Sequence, residues 1–128
     1  DFDAAKRAYE PFVKRADIVK FSEDELLDFM GISGIDAAAE SLCDKDKLIL
    51  VTLGKNGSAY YFNDKKGVVP SEYKCRSVDT TGAGDAFFGA FLAAIENKEP
   101  TKENIVSAMR NGNEKGAKTT EFFGAIKL

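Results

Sequence analysis

Apolar residues along this chain recur at helical and strand periods in turn. Phe2, Ala5, Tyr9 and Phe12 fall on one helical face. Pro11 within that stretch predicts a kink or break, because an interior proline loses a hydrogen bond and clashes with the preceding turn. Asp17–Phe21, with β-branched Ile18 and Val19, predicts a short strand. Ser22 followed by Glu25 is a capping-box pattern, opening a helix that stops at Gly31. Ile35–Cys43 predicts a second short helix capped by Asp36, and Asp44–Lys47 a solvated turn. Leu48–Leu53 is an unbroken apolar run, which predicts a strand buried on both faces, as in a parallel sheet. Asn56-Gly57 is a turn signal between β-like runs. Ser58–Phe62 and Gly67–Pro70 predict antiparallel strands joined through Asn63–Lys66, with Tyr60, Tyr61 and Phe62 as sheet core. Tyr73–Val78 predicts one more strand.

The run Ala86–Ile95 carries no charge and predicts a helix buried over most of its surface. After the polar turn Glu96–Pro100, Thr101 is the expected N-cap of a last helix. Its stripe is Ile105, Met109, Gly112 and Gly116. A glycine inside a helix costs about 1 kcal/mol relative to alanine. Two on one face predict the close approach of another helix or of a flat ligand. The order of elements predicts an α/β layer fold.

Composition narrows the function. With 128 residues, 44% hydrophobic and 30% charged, the chain can bury a core of ordinary globular type. Its net charge is −3 and it holds no basic block, which argues against nucleic acid or an anionic membrane as partner. No apolar run is long enough to span a bilayer. Cys43 and Cys75 lack metal-site spacing and read as reduced thiols of a cytoplasmic protein. The sequence has no histidine, so histidine acid–base chemistry and the usual zinc sites are excluded. It begins with Asp1, which reads as a piece of something longer.

The candidate chemistry lies in Val78–Leu92, V-D-T-T-G-A-G-D-A-F-F-G-A-F-L. Gly82-Ala83-Gly84 joins a β-like segment to a helix, and Asp85 follows at once. A glycine turn opening a helix leaves backbone N–H groups without partners, aimed along the positive end of the helix dipole. Gly82 and Gly84 permit positive φ, and Gly84 is expected to need it. A carboxylate beside such an anion cradle suits phosphoryl transfer, in which it accepts the hydroxyl proton. Aspartate in a first turn also serves capping alone, and both readings stand at this point. The pattern is not G-x-G-x-x-G, since Phe87 occupies the third glycine's place, and no Gly-Lys-Ser/Thr follows to make a Walker loop.

The longer string Asp79–Asp85 with Gly89-Ala90-Phe91-Leu92 resembles the C-terminal signature of the PfkB/ribokinase family of carbohydrate kinases. The resemblance implies a ribokinase-like (Rossmann-like) three-layer α/β sandwich, of which residues 1–128 would be the C-terminal, nucleotide-binding part. It implies ATP-dependent phosphorylation of a sugar primary hydroxyl. A fructokinase-like enzyme is favoured, with ribose and 2-keto-3-deoxygluconate open. Asp85 would be the base, and Gly82, Ala83 and Gly84 would form the anion hole. Thr52, Gly54 and Gly57 of Thr-x-Gly-x-x-Gly would line the phosphates, and Asn113 the adenine pocket. Gly124 would lie in a turn beside the nucleotide. Glu25 would act on magnesium through water, although Ser22 stands where the family usually has asparagine. Asp79 and Thr81 would help hold a monovalent cation such as potassium. The sugar-contacting half has no counterpart in these residues. Its absence leaves a sheet edge at Asp17–Phe21 open to self-association. A non-catalytic nucleotide- or phosphate-binding module is the alternative.

Overall fold

The computed structural model describes residues 17–31, 34–42, 46–71 and 82–126. The expected opening helix, the Tyr73–Val78 strand, Cys43, Cys75, Asp79 and Thr81 lie outside the described residues. Contacts divide the chain into two units, Asp1–Thr52 with Ala59–Gly67, and Leu53–Ser58 with Val68–Leu128.

In the first unit, β1 (Ile18–Ser22) leads into α1 (Glu23–Met30), α2 (Ile35–Leu42) and β2 (Leu48–Thr52). β1 and β2 pair in parallel, from Ile18 opposite Leu48 to Ser22 opposite Thr52. The helices between them supply the long crossover that parallel pairing requires. The capping box forms as expected: Glu25 N–H donates to Ser22 Oγ at 3.1 Å, and Ser22 N–H donates to Glu25 Oε1 at 2.8 Å. α1 ends on Gly31, whose φ of 65° closes the helix in the left-handed region. Leu48–Val51 are buried, in keeping with a strand covered on both faces.

β3 (Ser58–Phe62) and β4 (Lys65–Val69) complete a four-stranded sheet in the order β1-β2-β3-β4. β2, β3 and β4 are joined by connections too short for a crossover, so they run antiparallel and the sheet is mixed. β4 starts at Lys65 rather than Gly67, because Asn63 takes φ 54° and the chain reverses within Asn63-Asp64. Tyr60, Tyr61 and Phe62 are buried in the sheet core, as expected.

Two local expectations fail. Asp36 does not sit at the start of α2 as a cap: it lies in the first turn, and its Oδ1 accepts from Tyr61 Oη at 2.6 Å. Lys47 is buried rather than part of a solvated turn. Its long apolar stem can be covered at the entry to a core strand. Asp46 and Asn63, both at positive φ, hold the neighbouring turns together, with Asp46 N–H donating to Asn63 Oδ1 at 2.8 Å. Among the described strands, β1 ends the sheet on one side and β4 on the other.

The second unit holds α3 (Ala83–Ile95) and α4 (Lys102–Ile126). Thr101 caps α4, its Oγ1 accepting from Asn104 N–H at 3.1 Å. The glycine stripe of α4 admits a helix, not a flat ligand. A Cβ on Gly112 would stand 2.7 Å from Phe87 Cδ2, and one on Gly116 would stand 3.1 Å from the Ala83 carbonyl oxygen. Phe87 and Phe91 stack at 6.4 Å on the buried side of α3. Burial of α3 is narrower than expected: Gly89 and Ala93 are exposed and Leu92 is 40% exposed. Within α3 Phe87 and Phe91 are the residues fully buried, so an uncharged sequence does not here mean a helix buried all round.

Candidate functional site

Two groups of candidate residues can be built up, one in each unit. In the first, parallel pairing sets Ser22 beside Thr52 at the carboxyl ends of β1 and β2. Open α/β sheets receive ligands at such ends. Glu25 stands one turn beyond Ser22, its carboxylate held by the Ser22 N–H and 4.0 Å from Lys20 Nζ. The Ser22 backbone hydrogen bond holds the Glu25 carboxyl below the usual glutamate range against the opposing effect of burial, with lesser help from the Ser22 hydroxyl and the Lys20 charge. It is therefore anionic at neutral pH. One oxygen is committed to the cap, so Glu25 is suited to an outer-sphere role toward a cation. No cluster of three metal-ligating side chains occurs among the described residues.

In the second unit the Gly82 turn has the form an anion site needs. Gly82 takes φ 81°, in the left-handed region, and α3 begins at the next residue. Its first internal donor is Ala86, whose N–H reaches the Gly82 carbonyl at 2.9 Å. The amides of Ala83, Gly84 and Asp85 precede that bond, have no acceptor among the described residues, and meet no side-chain cap. Three such donors stand at the positive end of a helix of 13 residues, the arrangement that an anion cradle requires. Gly84 does not need its glycine for backbone angle, because its φ is not positive; Gly82 alone carries the left-handed turn here. The reason is positional: Gly84 already lies inside the helix, and the reversal happens two residues before it, at Gly82. Asp85 is exposed in the first turn and does not cap the helix.

The Leu53–Gly57 segment forms a tight loop around a 3-10 turn, Gly54–Asn56, closed by Leu53 N–H donating to the Gly57 carbonyl at 2.8 Å. Gly54 at φ 61° faces open space. Gly57 at φ 98° is confined, since a Cβ there would lie 2.1 Å from the Val69 carbonyl oxygen. Asn113, on α4, accepts from Ser58 Oγ at 2.9 Å and donates to the same Val69 carbonyl at 3.0 Å. Sequence reasoning does not single out Ser58. The signal available there is a hydroxyl directly after Asn-Gly at the head of an apolar strand. Gly124 is not in a turn: α4 continues through it to Ile126. A single glycine costs only about 1 kcal/mol in a helix and does not end one that nothing else interrupts.

Comparison with known proteins bears on the family and the fold. The model of the pfkB family carbohydrate kinases matches residues 1–127. The chain belongs to the pfkB family. It is 46% identical over 121 residues to fructokinase-1 of Zea mays, covering 88% of this chain and 36% of that protein. A fructokinase of Rhizobium leguminosarum bv. trifolii is 44% identical over 105 residues, covering 77% of this chain and 32% of its own length. Among solved structures, the fructokinase of Vibrio cholerae O395 with fructose, ADP and calcium ion superposes with a TM-score of 0.80 at 31% identity, over 90% of this chain and 38% of that one. The aminoimidazole riboside kinase of Salmonella enterica, complexed with aminoimidazole riboside and an ATP analogue, gives 0.81 at 28% identity, over 94% and 41%. The α/β fold is thus ribokinase-like, as expected, and the chain spans 36% of the length of the curated plant relatives it first matches. No helix among the described residues is long and apolar enough to cross a membrane.

Proposed function

We propose that this pfkB chain supplies the nucleotide side of a fructokinase-like kinase, which moves the γ-phosphoryl group of ATP to a sugar's primary hydroxyl. The observation that carries this reading is the Gly82 turn, with three amides lacking acceptors among the described residues and an exposed aspartate at the third. The amides of Ala83, Gly84 and Asp85 hold charge on the phosphoryl oxygens. Loss of one such preorganised donor typically costs about 2.7–4 kcal/mol of barrier. Asp85 accepts the proton as the hydroxyl oxygen bonds to the γ-phosphorus and the bond to the bridging oxygen breaks, releasing ADP. Thr52, Gly54 and Gly57 lie along the β- and γ-phosphates. Magnesium bound with the nucleotide would supply neutralisation of phosphate charge, and Glu25 would hold it indirectly, through a water. Asp79 and Thr81 belong to a potassium site in the same proposal. Fructose is the favoured acceptor, because fructokinases stand among the similar curated proteins and solved structures.

The test is to put this chain in place of the matching portion of the maize fructokinase-1 and measure fructose-dependent ADP release. Activity that requires Asp85 is the expected result. A hybrid that folds and binds ATP yet transfers nothing to any ketose or aldose would favour a nucleotide-binding module instead. We also propose that the chain alone self-associates through the β1 edge, which light scattering reads directly.

A further inference from the structure

We infer that Asn113 is a positioning residue which sets the shape of the Leu53–Gly57 loop, and that its side chain does not read the nucleotide base. The bonds determine which way the amide faces. A backbone carbonyl can only accept, so Nδ2 must be the atom turned to Val69, at 3.0 Å. The Ser58 hydroxyl then donates to Oδ1, at 2.9 Å, and Ser58 is completely buried. Both partners border the loop. Ser58 follows Gly57 directly, and the Val69 carbonyl occupies the space a Gly57 Cβ would need. One amide on α4 therefore fixes both the residue leaving the loop and the carbonyl against which the loop's glycine is packed. The neighbouring turns of α4 bear on α3 through Gly112 at Phe87 and Gly116 at the Ala83 carbonyl. The same stretch of α4 thus braces the loop and the start of the helix that carries the anion cradle. An asparagine with one oxygen and one N–H so engaged, in a part-buried site, is poorly placed to reach an adenine edge as well.

The part that concerns phosphate rests on the functional reading above, and the experiment separates the two. Asn113→Ala and Ser58→Ala each leave a polar partner unsatisfied, which is expected to loosen the loop by about tenfold. In the unliganded 128-residue chain, hydrogen exchange at the Leu53 amide should quicken by about that factor in both variants, while Ile49 and Leu50 stay protected. General destabilisation would move all three together. Calorimetry with ATP, GTP and inorganic triphosphate should then show the three affinities falling by the same factor. Unchanged Leu53 exchange, or a loss of ATP affinity with triphosphate binding intact, would overturn the inference. A wild-type chain that binds no triphosphate overturns the functional reading instead, and the exchange measurement still decides the clamp.

Discussion

The chain turns on positive-φ glycines at two candidate loops, and the two turns are built for opposite reasons. At Gly57 the glycine is required by its surroundings: the Val69 carbonyl, Ser71 N and Pro70 Cα all lie under 3.0 Å from where a Cβ would sit. At Gly82 the glycine is required by the helix it opens. The left-handed residue releases the chain into α3 and leaves three amides without acceptors among the described residues. The first turn is closed by packing, and the second leaves its amides without acceptors among the described residues. The Gly-x-x-Gly lettering is thus a poor guide to role, since Gly54 and Gly57 belong to one motif but differ in constraint.

The largest effect should come from the open turn. Asp85→Asn in the maize hybrid is expected to lower turnover by about 10²–10⁴, or roughly 3–5 kcal/mol of barrier. Thermal stability should hold, because Asp85 is exposed and unengaged among the described residues. Turnover above about a tenth of the parent would remove Asp85 from the base role.

The closed turn should answer in stability. Gly57→Ala combines left-handed strain with a backbone clash and is expected to cost about 3 kcal/mol in urea unfolding. Gly54→Ala meets only strain, about 1–2 kcal/mol, since nothing lies within 4 Å of the new methyl group. Equal losses at the two positions would erase the distinction between packed and open glycines.

A smaller change is expected at the helix pair. Gly112→Ala pushes a methyl group against the Phe87 ring and carbonyl, but regains about 1 kcal/mol of helix propensity. A net loss of about 1–2 kcal/mol should appear in the melting temperature. A stabilised variant would mean that α3 can step aside.

The smallest effect concerns Glu25. Its folded pKa lies below the ordinary value of 4.5, so its stabilising contribution is full above that value and fades as pH falls through the lowered one. Glu25→Gln keeps a capping acceptor, should change neutral-pH stability by under about 0.5 kcal/mol, and should flatten that acid-side decline. An unaltered acid profile would assign the decline to other carboxylates.

Local chemistry was legible wherever a signal is completed within a few residues. Ser22 and Glu25 complete a capping box three residues apart, Gly31 ends α1, and Thr101 opens α4. The Leu48–Val51 run needed only its own composition to announce a buried strand. The signature around Gly82 marked the candidate site for the same reason, because a turn, a helix start and a carboxylate are neighbours in sequence.

The features that stayed hidden needed a distant partner. Asp36 turns to Tyr61, 25 positions on, rather than to its own helix end. Asn113 is engaged by Ser58 and Val69, 55 and 44 positions away, and no spacing rule reaches so far. The sequence by itself determined most of the described elements, the parallel entry strand and the turn at Gly82, since backbone conformation there depends on adjacent residues. The tertiary structure alone decided which face of α3 is covered, why Gly57 must be glycine, and where the Asn113 amide is committed. Those depend on which atoms from remote segments compete for the same space and the same hydrogen bonds.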